Sequence, residues 1–272
     1  MPIYPLRKLP ALPIAAIAEP FLEQIDSELK SGTDRALLCR RTRCEISYPE
    51  FANNWETAVE DKKLPLPTRL ALSALDPRNV TLEPEYYGDV DATKYAERKP
   101  LIWFWMMYDR SPLGLNHWLG YQVRAMLARH IFKYCGKNVK IFHGVEMSYG
   151  YNLTVEDNCV LHKYVFLDDR GEIIIREGTS VSDYANLYSH AHDLNDGMIV
   201  TNQKTEIGPR ARITYHATVL SGVKVGEHGL VGSMGVVSKN VEPYHVVVGV
   251  PAKPVKVKPI APDELKKAYE GQ

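Results

Sequence analysis

The spacing of hydrophobic residues changes character near residue 136. Upstream it is helical and intermittent. Phe21, Leu22, Ile25 and Leu29 predict a helix over Pro20–Lys30, stopped by Ser31-Gly32. Leu64–Leu75 predicts a second helix, opening at Pro65 or Pro67 and ending before Asp76-Pro77. The polar stretch Asn79–Lys99, with Pro84 and Gly88, reads as a long surface excursion. Leu101–Met107 is the most apolar run, and its aromatic content marks it for burial. Asn116–Tyr134 reads as an amphipathic helix. Leu119, Val123, Met126, Leu127, Ile131 and Phe132 share a face, with Arg124 and Arg129 off it, and Cys135-Gly136 forms the C-terminal cap.

Downstream the period is six, neither 3.6 nor 2. Hexads begin at Ile207, Ile213, Val219, Val225, Val231 and Val237, so the first column is wholly aliphatic. The fifth column is Ala211, Ala217, Val223, Gly229, Gly235 and Val241, wholly small. With each class filling roughly a quarter of an average sequence, either column would arise by chance about once in four thousand. The first column extends upstream through Val139 and Val145, then Val155, Leu161 and Leu167, then Ile175, Val181 and Leu187. Breaks fall near Asp168–Glu172 and at roughly His192–Lys204. A three-sided solenoid explains this period: each hexad forms one flat side with one aliphatic residue inward, and small residues line the corner. Glycine or a polar residue in the second column suits a turn with positive φ or a close backbone approach. Stacking pairs each strand in parallel with those above and below, over about five coils of about 18 residues.

Composition narrows the function classes. The chain has 272 residues, 45% of them hydrophobic, with 33 basic and 33 acidic side chains and no net charge. Neutrality argues against bulk electrostatic gripping of nucleic acid or an anionic membrane. Ala11–Ala18, broken by Pro13, and Leu101–Tyr108 are the longest apolar candidates, too short for a membrane-spanning helix. The apolar patch after Arg7 and Lys8 is broken by Pro10 and Pro13 and ended by Glu19, so it reads as a packed arm and not a secretion signal. Cys39, Cys44, Cys135 and Cys159 lack paired zinc spacing and read as reduced thiols of a cytoplasmic protein. The charge is uneven: residues 204–258 hold eight Lys/Arg against three acids, an excess of five, which suits an anionic ligand.

The run Val219–Pro243, ending in Val248-Gly-Val-Pro-Ala-Lys-Pro-Val255, resembles the hexapeptide-repeat acyltransferases, in particular sugar O-acetyltransferases. Leu187-Tyr-Ser-His-Ala-His-Asp193 looks like their active-site segment. The resemblance covers roughly residues 120–260 and implies a mainly β fold, a left-handed parallel β-helix. It also implies a homotrimer with active sites between subunits, and acetyl-CoA as donor with no metal. The resulting organisation is a helical or irregular region over 1–135, the β-helix over 136–258, and a tail or closing helix over 259–272. The resemblance does not extend to residues 1–115; they are expected to cap the solenoid or, through the Trp103–Tyr108 cluster, to shape the acceptor pocket.

The implied reaction is attack of a hydroxyl or amine on the acyl-CoA thioester. An alcohol needs a base at neutral pH, and imidazole is the natural one. His192 matches the family's catalytic histidine, just before an extruded loop over Asp193–Lys204. His190 lies two residues away, on the same side of an extended segment. Asp193 either orients an imidazole or caps the loop. On the donor side, Ser233, Ser238 and Lys239 match positions along the pantetheine arm, and Tyr215 falls near the thioester. Lys253, Lys256 and Lys258 are candidates for the nucleotide phosphates, or a solubilising tail. Arg212 stands where the family often has an aromatic, and Thr214 where it has glycine. The family's acceptor-side Asn is absent, His162 being the nearest polar residue.

Two other readings compete. A zinc enzyme resembling the γ-class carbonic anhydrases would use His190, His192 and His216, though the His-x4-His spacing is missing. A non-catalytic trimeric scaffold would have no reason to keep His192 and Pro251-Ala-Lys. Among acceptors, the Asp-Arg-His-Pro segment of serine acetyltransferases is absent, which favours a carbohydrate hydroxyl.

Overall fold

The computed structural model describes residues 15–270. The patch from Arg7 to Pro13, read as a packed arm, lies outside the described residues. The chain forms two compact units, one helical and ending at Ile131, the other running from Phe132 onward.

The helical unit contains α1 (Ala15–Lys30), α2 (Arg35–Ser47), α3 (Trp55–Glu60), α4 (Leu66–Ser73), α5 (Ala92–Asp109), α6 (Pro112–Leu115) and α7 (His117–Ile131). α1 begins before the Pro20 that the spacing predicts, and Ile25 and Leu29 are its buried anchors. α2 has no counterpart in the sequence reading. Its start is fixed by Asp34, whose carboxylate accepts from the Leu37 N–H at 2.9 Å. Leu38, Cys39 and Cys44 are buried while Arg40 lies over the Trp55 ring at 4.3 Å, so the arginines hid an apolar face.

Three expectations change in this unit. The excursion predicted over Asn79–Lys99 is helical from Ala92, where Asp91 caps α5 by accepting from the Lys94 N–H at 3.0 Å. Leu101 through Trp105 then continue the same helix, each at most 4% exposed, and α5 packs on α2 and α7. Trp103, Trp105 and Tyr108 are each 1% exposed, so they are core and present no pocket-lining surface. Arg124, placed off the apolar face by its charge, is buried. Its Nη1 donates to Asp109 Oδ1 at 2.6 Å and to the Gly114 carbonyl at 3.2 Å. Gly120 makes room, since a Cβ there would lie 2.5 Å from Arg124 Nη2. Cys135-Gly136 is not a helix cap: Tyr134–Cys135 is the first strand of the β unit, paired in parallel with Leu153–Val155.

The β unit is the solenoid the period predicts. Its strands form three parallel sheets, one per side. One side runs from Lys140–Ile141 through Val160–Leu161, Ser180–Val181, Arg212–Ile213 and Leu230–Val231 to His245–Val248, six coils in all against the five expected. All six first-column residues of Ile207–Val237 are at most 2% exposed. The upstream register differs from the expected one. Ile141 and Met147 pair with Leu161 and Leu167, so they hold the first column. Val139 and Val145 occupy the small-residue fifth column, where Cys159 and Val165 follow them one coil later. The upstream coils are longer than three hexads, because corners such as Asp168–Glu172 carry extra residues: Val155 pairs with Ile175, and Leu167 with Leu187. Downstream, where Ile207 pairs with Val225, three hexads complete a coil.

In the first five hexads from Ile207 the left-handed backbone falls at the fourth position, not the second: Arg210, His216, Gly222, His228 and Met234 all have φ between 53° and 79°. The sixth departs from the expected register, because Val241 bridges Val225 and so joins the inward column instead of the fifth. Second-column glycines serve close approach. A Cβ on Gly226 would lie 2.5 Å from the Pro243 nitrogen of the next coil. Lys253–Val257 turns back antiparallel on His245–Val248, and a helix over Asp263–Glu270 ends the described chain. Gly226→Ala is expected to cost about 1–3 kcal/mol by overpacking against that coil. Thermal denaturation reads this as a lowered midpoint, and an unchanged midpoint contradicts the close-approach role.

Candidate active site

The extruded segment is a β-hairpin. His190–His192 pairs antiparallel with Val200–Asn202, so these histidines leave the solenoid wall and rise on their own strand. The coil interrupted by the hairpin still closes in register, Ile175 pairing with Ile207 and Leu187 with Val219. The hairpin base is pinned by buried hydroxyls. Ser189 Oγ donates to the Asp168 carbonyl and accepts from the Gly171 N–H at 2.9 Å. Thr205 Oγ1 donates to the Tyr188 carbonyl at 2.6 Å. Both hydroxyl residues are fully buried, so these bonds satisfy groups that burial would otherwise penalise.

The two histidine rings are 5.2 Å apart at 82°. His192 is exposed, and its Nδ1 lies 2.6 Å from the Gly197 carbonyl across the hairpin turn. A carbonyl only accepts, so Nδ1 carries the proton and Nε2 keeps a free lone pair. His190 is largely buried, and its Nδ1 contacts Asp168 Oδ2. Asp168 is 2% exposed and its other oxygen accepts from Ser148 Oγ at 3.2 Å. Asp193 does not supply an orienting carboxylate to either ring. Its Oδ1 accepts from the backbone N–H groups of Asn195 at 2.8 Å and Asp196 at 3.1 Å, and these bonds hold its pKa below the ordinary value. The residue that sequence reasoning missed is Asp168. Leu167-Asp-Asp-Arg-Gly171 read only as a break in the repeat. The available signal was its position, one coil before Tyr188.

Beside Asp168, Asp169 is fully buried and accepts from the Tyr149 N–H at 2.7 Å and the Asn152 N–H at 3.2 Å. Burial pushes its carboxyl up to about 7 against the pull of those backbone donors. His162, the nearest polar residue to the expected acceptor Asn, stacks on Phe142 at 4.9 Å and lies 3.5 Å from Ser180 Oγ. Burial lowers its pKa.

The proposed donor residues lie on exposed parts of the wall. Ser233 donates to Thr214 Oγ1 at 3.3 Å, and Ser238 and Lys239 follow the strand Val236–Val237. Tyr215 is half-exposed, edge-on to Tyr184 and His216. Lys253 and Lys256 project from the returning strand Lys253–Val257. Lys258 is partly buried, and burial together with the neighbouring Arg212 lowers its pKa. Neither Lys258 nor Arg212 has an acidic partner among the described residues, so an anion is the natural complement.

The three histidines considered for zinc are not brought together within one chain. His216 stacks on Tyr184 at 4.8 Å in a column of corner aromatics, away from the hairpin pair. Among the described residues no group of three or more His, Cys, Asp or Glu is placed to hold a metal. No helix of the described residues is long and apolar enough to cross a membrane.

Comparison with known proteins adds the class. No family model matches the chain. A serine acetyltransferase of Mycobacterium tuberculosis is 31% identical over 139 residues, 51% of this chain and 56% of the relative. A dTDP-4-amino-4,6-dideoxy-D-glucose acyltransferase of Escherichia coli is 29% identical over 156 residues, covering 46% of this chain and 81% of the relative. The chain thus spans little more than half the length of the serine acetyltransferase. A maltose O-acetyltransferase from Clostridium difficile 630 superposes with a TM-score of 0.54 at 23% identity, over 63% of this chain and 91% of its own. That likeness concerns the fold. The repeat, the parallel β-solenoid and these relatives make the chain similar to the hexapeptide-repeat acetyltransferases.

Asp169 gives a pH test. A folded-state pKa raised above the unfolded value adds stability that is full below about pH 4 and is lost as pH rises through about 7. Denaturant melts should therefore show wild type gaining stability relative to Asp169→Asn as pH falls from 8 to 5. A difference constant over that range contradicts the raised value.

Proposed function

We propose that the protein is an acyl-CoA-dependent O-acyltransferase that moves an acetyl group to a carbohydrate hydroxyl, with His192 as general base. The observation that carries this reading is the state of His192. Its Nδ1 is committed to the Gly197 carbonyl, so the exposed ring offers Nε2 as proton acceptor at the matching position of the family's active-site segment. The acceptor oxygen attacks the thioester carbonyl carbon while Nε2 takes its proton. The carbon–sulfur bond then breaks, and the CoA sulfur recovers that proton from the imidazolium. An acetyl ester and free CoA result.

Donor binding in this reading uses backbone and side chains of Tyr215, Ser233, Ser238 and Lys239 along the pantetheine arm, with Lys253 and Lys256 at the phosphates. The Arg212–Lys258 cation pair supports an anionic donor on this wall. The name of the Escherichia coli relative supports an acceptor built on a sugar. The missing Asp-Arg-His-Pro segment argues against serine despite the Mycobacterium tuberculosis relative. The enzyme is read as a cytoplasmic homotrimer. Its four cysteines are free thiols, and the exposed apolar hairpin tip residues Leu194 and Met198 support association with a neighbouring copy.

Release of free CoA from acetyl-CoA across a panel of sugars tests the activity. His192→Ala should fold as wild type by circular dichroism and lose about 100- to 10,000-fold in kcat/KM. Turnover unchanged in that variant overturns His192 as base.

A further inference from the structure

The repeat does not require a carboxylate at residue 168. The stacked positions one coil before and one coil after are Ser148 and Tyr188, both uncharged. A carboxylate 2% exposed is costly unless both oxygens are engaged. Here Ser148 Oγ donates to one and His190 Nδ1 to the other. His190 is therefore held from behind. Its ring also sits edge-on to Tyr188 at 6.5 Å, and its side chain is 16% exposed. With Nδ1 of the neutral ring donating to Asp168, its remaining nitrogen, Nε2, has a lone pair and accepts a hydrogen bond.

Both imidazoles of the hairpin thus present accepting nitrogens, on rings 5.2 Å apart. One transfer removes one proton, and the exposed His192 is the base in the reading above. A second fixed acceptor beside it has a different use. We propose that His190 is an acceptor-binding residue that receives a hydrogen bond from a second hydroxyl next to the attacking one, with Asp168 as its positioning residue, so that the site selects vicinal diols such as those of a sugar ring. This inference rests on His192 being the base. An alcohol lacking the second donor leaves Nε2 of this largely buried side chain without that hydrogen bond, which a hydrogen-bonding site penalises by at least about tenfold.

Two measurements test it. The first needs no turnover. The imidazole proton spectrum of the wild-type protein should contain a strongly downfield Nδ1–H of His190, kept in His192→Ala and lost in Asp168→Asn. Finding His190 protonated on Nε2 instead overturns the proposal. The second compares CoA release with ethylene glycol and with 2-methoxyethanol, which keeps the second oxygen but not its hydrogen. Wild type should favour the glycol by about tenfold or more in kcat/KM. Asp168→Asn should bring that ratio to within about twofold, most of the loss falling on KM for the glycol. A ratio that survives Asp168→Asn, or no preference in wild type, overturns the role of His190 alone. Turnover that survives His192→Ala overturns the base alone, and no release from either alcohol in wild type overturns both.

Discussion

One constraint governs the β unit: each flat side admits one inward aliphatic side chain per hexad, directly above its counterpart one coil below. Ile207, Val225 and the bridged Val241 stack in this way, as do Ile213, Val231 and Val247. Side chains so aligned bury their apolar surface on both neighbours, and the parallel ladders satisfy the backbone at the same time. The corners must then turn within a few residues, and a left-handed residue before each small fifth-column residue from Ala211 to Gly235 does so. Extra residues are tolerated only where they leave this stack untouched, at corners.

The hairpin obeys that rule. The coil that carries it runs from Ile175 to Ile207, far longer than the preceding one from Val155 to Ile175, yet both ends remain paired with their neighbours. The excess is placed outside the frame, where exposed polar groups cost little, and it carries His192. The frame supplies what an exposed hairpin lacks: a buried carboxylate from the preceding coil and buried hydroxyls at the base. Asp168 holds His190 from behind, whereas His192 is held by the Gly197 carbonyl of the hairpin turn. The acceptor site proposed for this hairpin would need this kind of support from packed elements.

Period six and the identity of the inward column could be read in the sequence because inward residues repeat whatever the corner lengths do. Register across corners could not. The upstream coils exceed three hexads, so stepping back from Val155 to Val145 and Val139 slips into the fifth column. His192 could be proposed from its segment alone. Asp168 was not, because its role depends on a contact with His190 across stacked coils. In the helical unit, charge misled twice. The arginines of α2 masked its apolar face, and Arg124 was placed outside by its charge, although Asp109 and the space left by Gly120 let it be buried.

The central claim is that frame and chemistry are separable, the solenoid closing without the hairpin and the reaction depending on it. Deleting the hairpin from Ala191 through Asn202 shortens the interrupted coil to the length of the one before it. CoA release by this protein, measured beside its thermal melt, is the direct test. The account predicts cooperative melting close to that of wild type with no acetyl transfer to any sugar. Retained transfer, or a β unit that no longer folds, contradicts it.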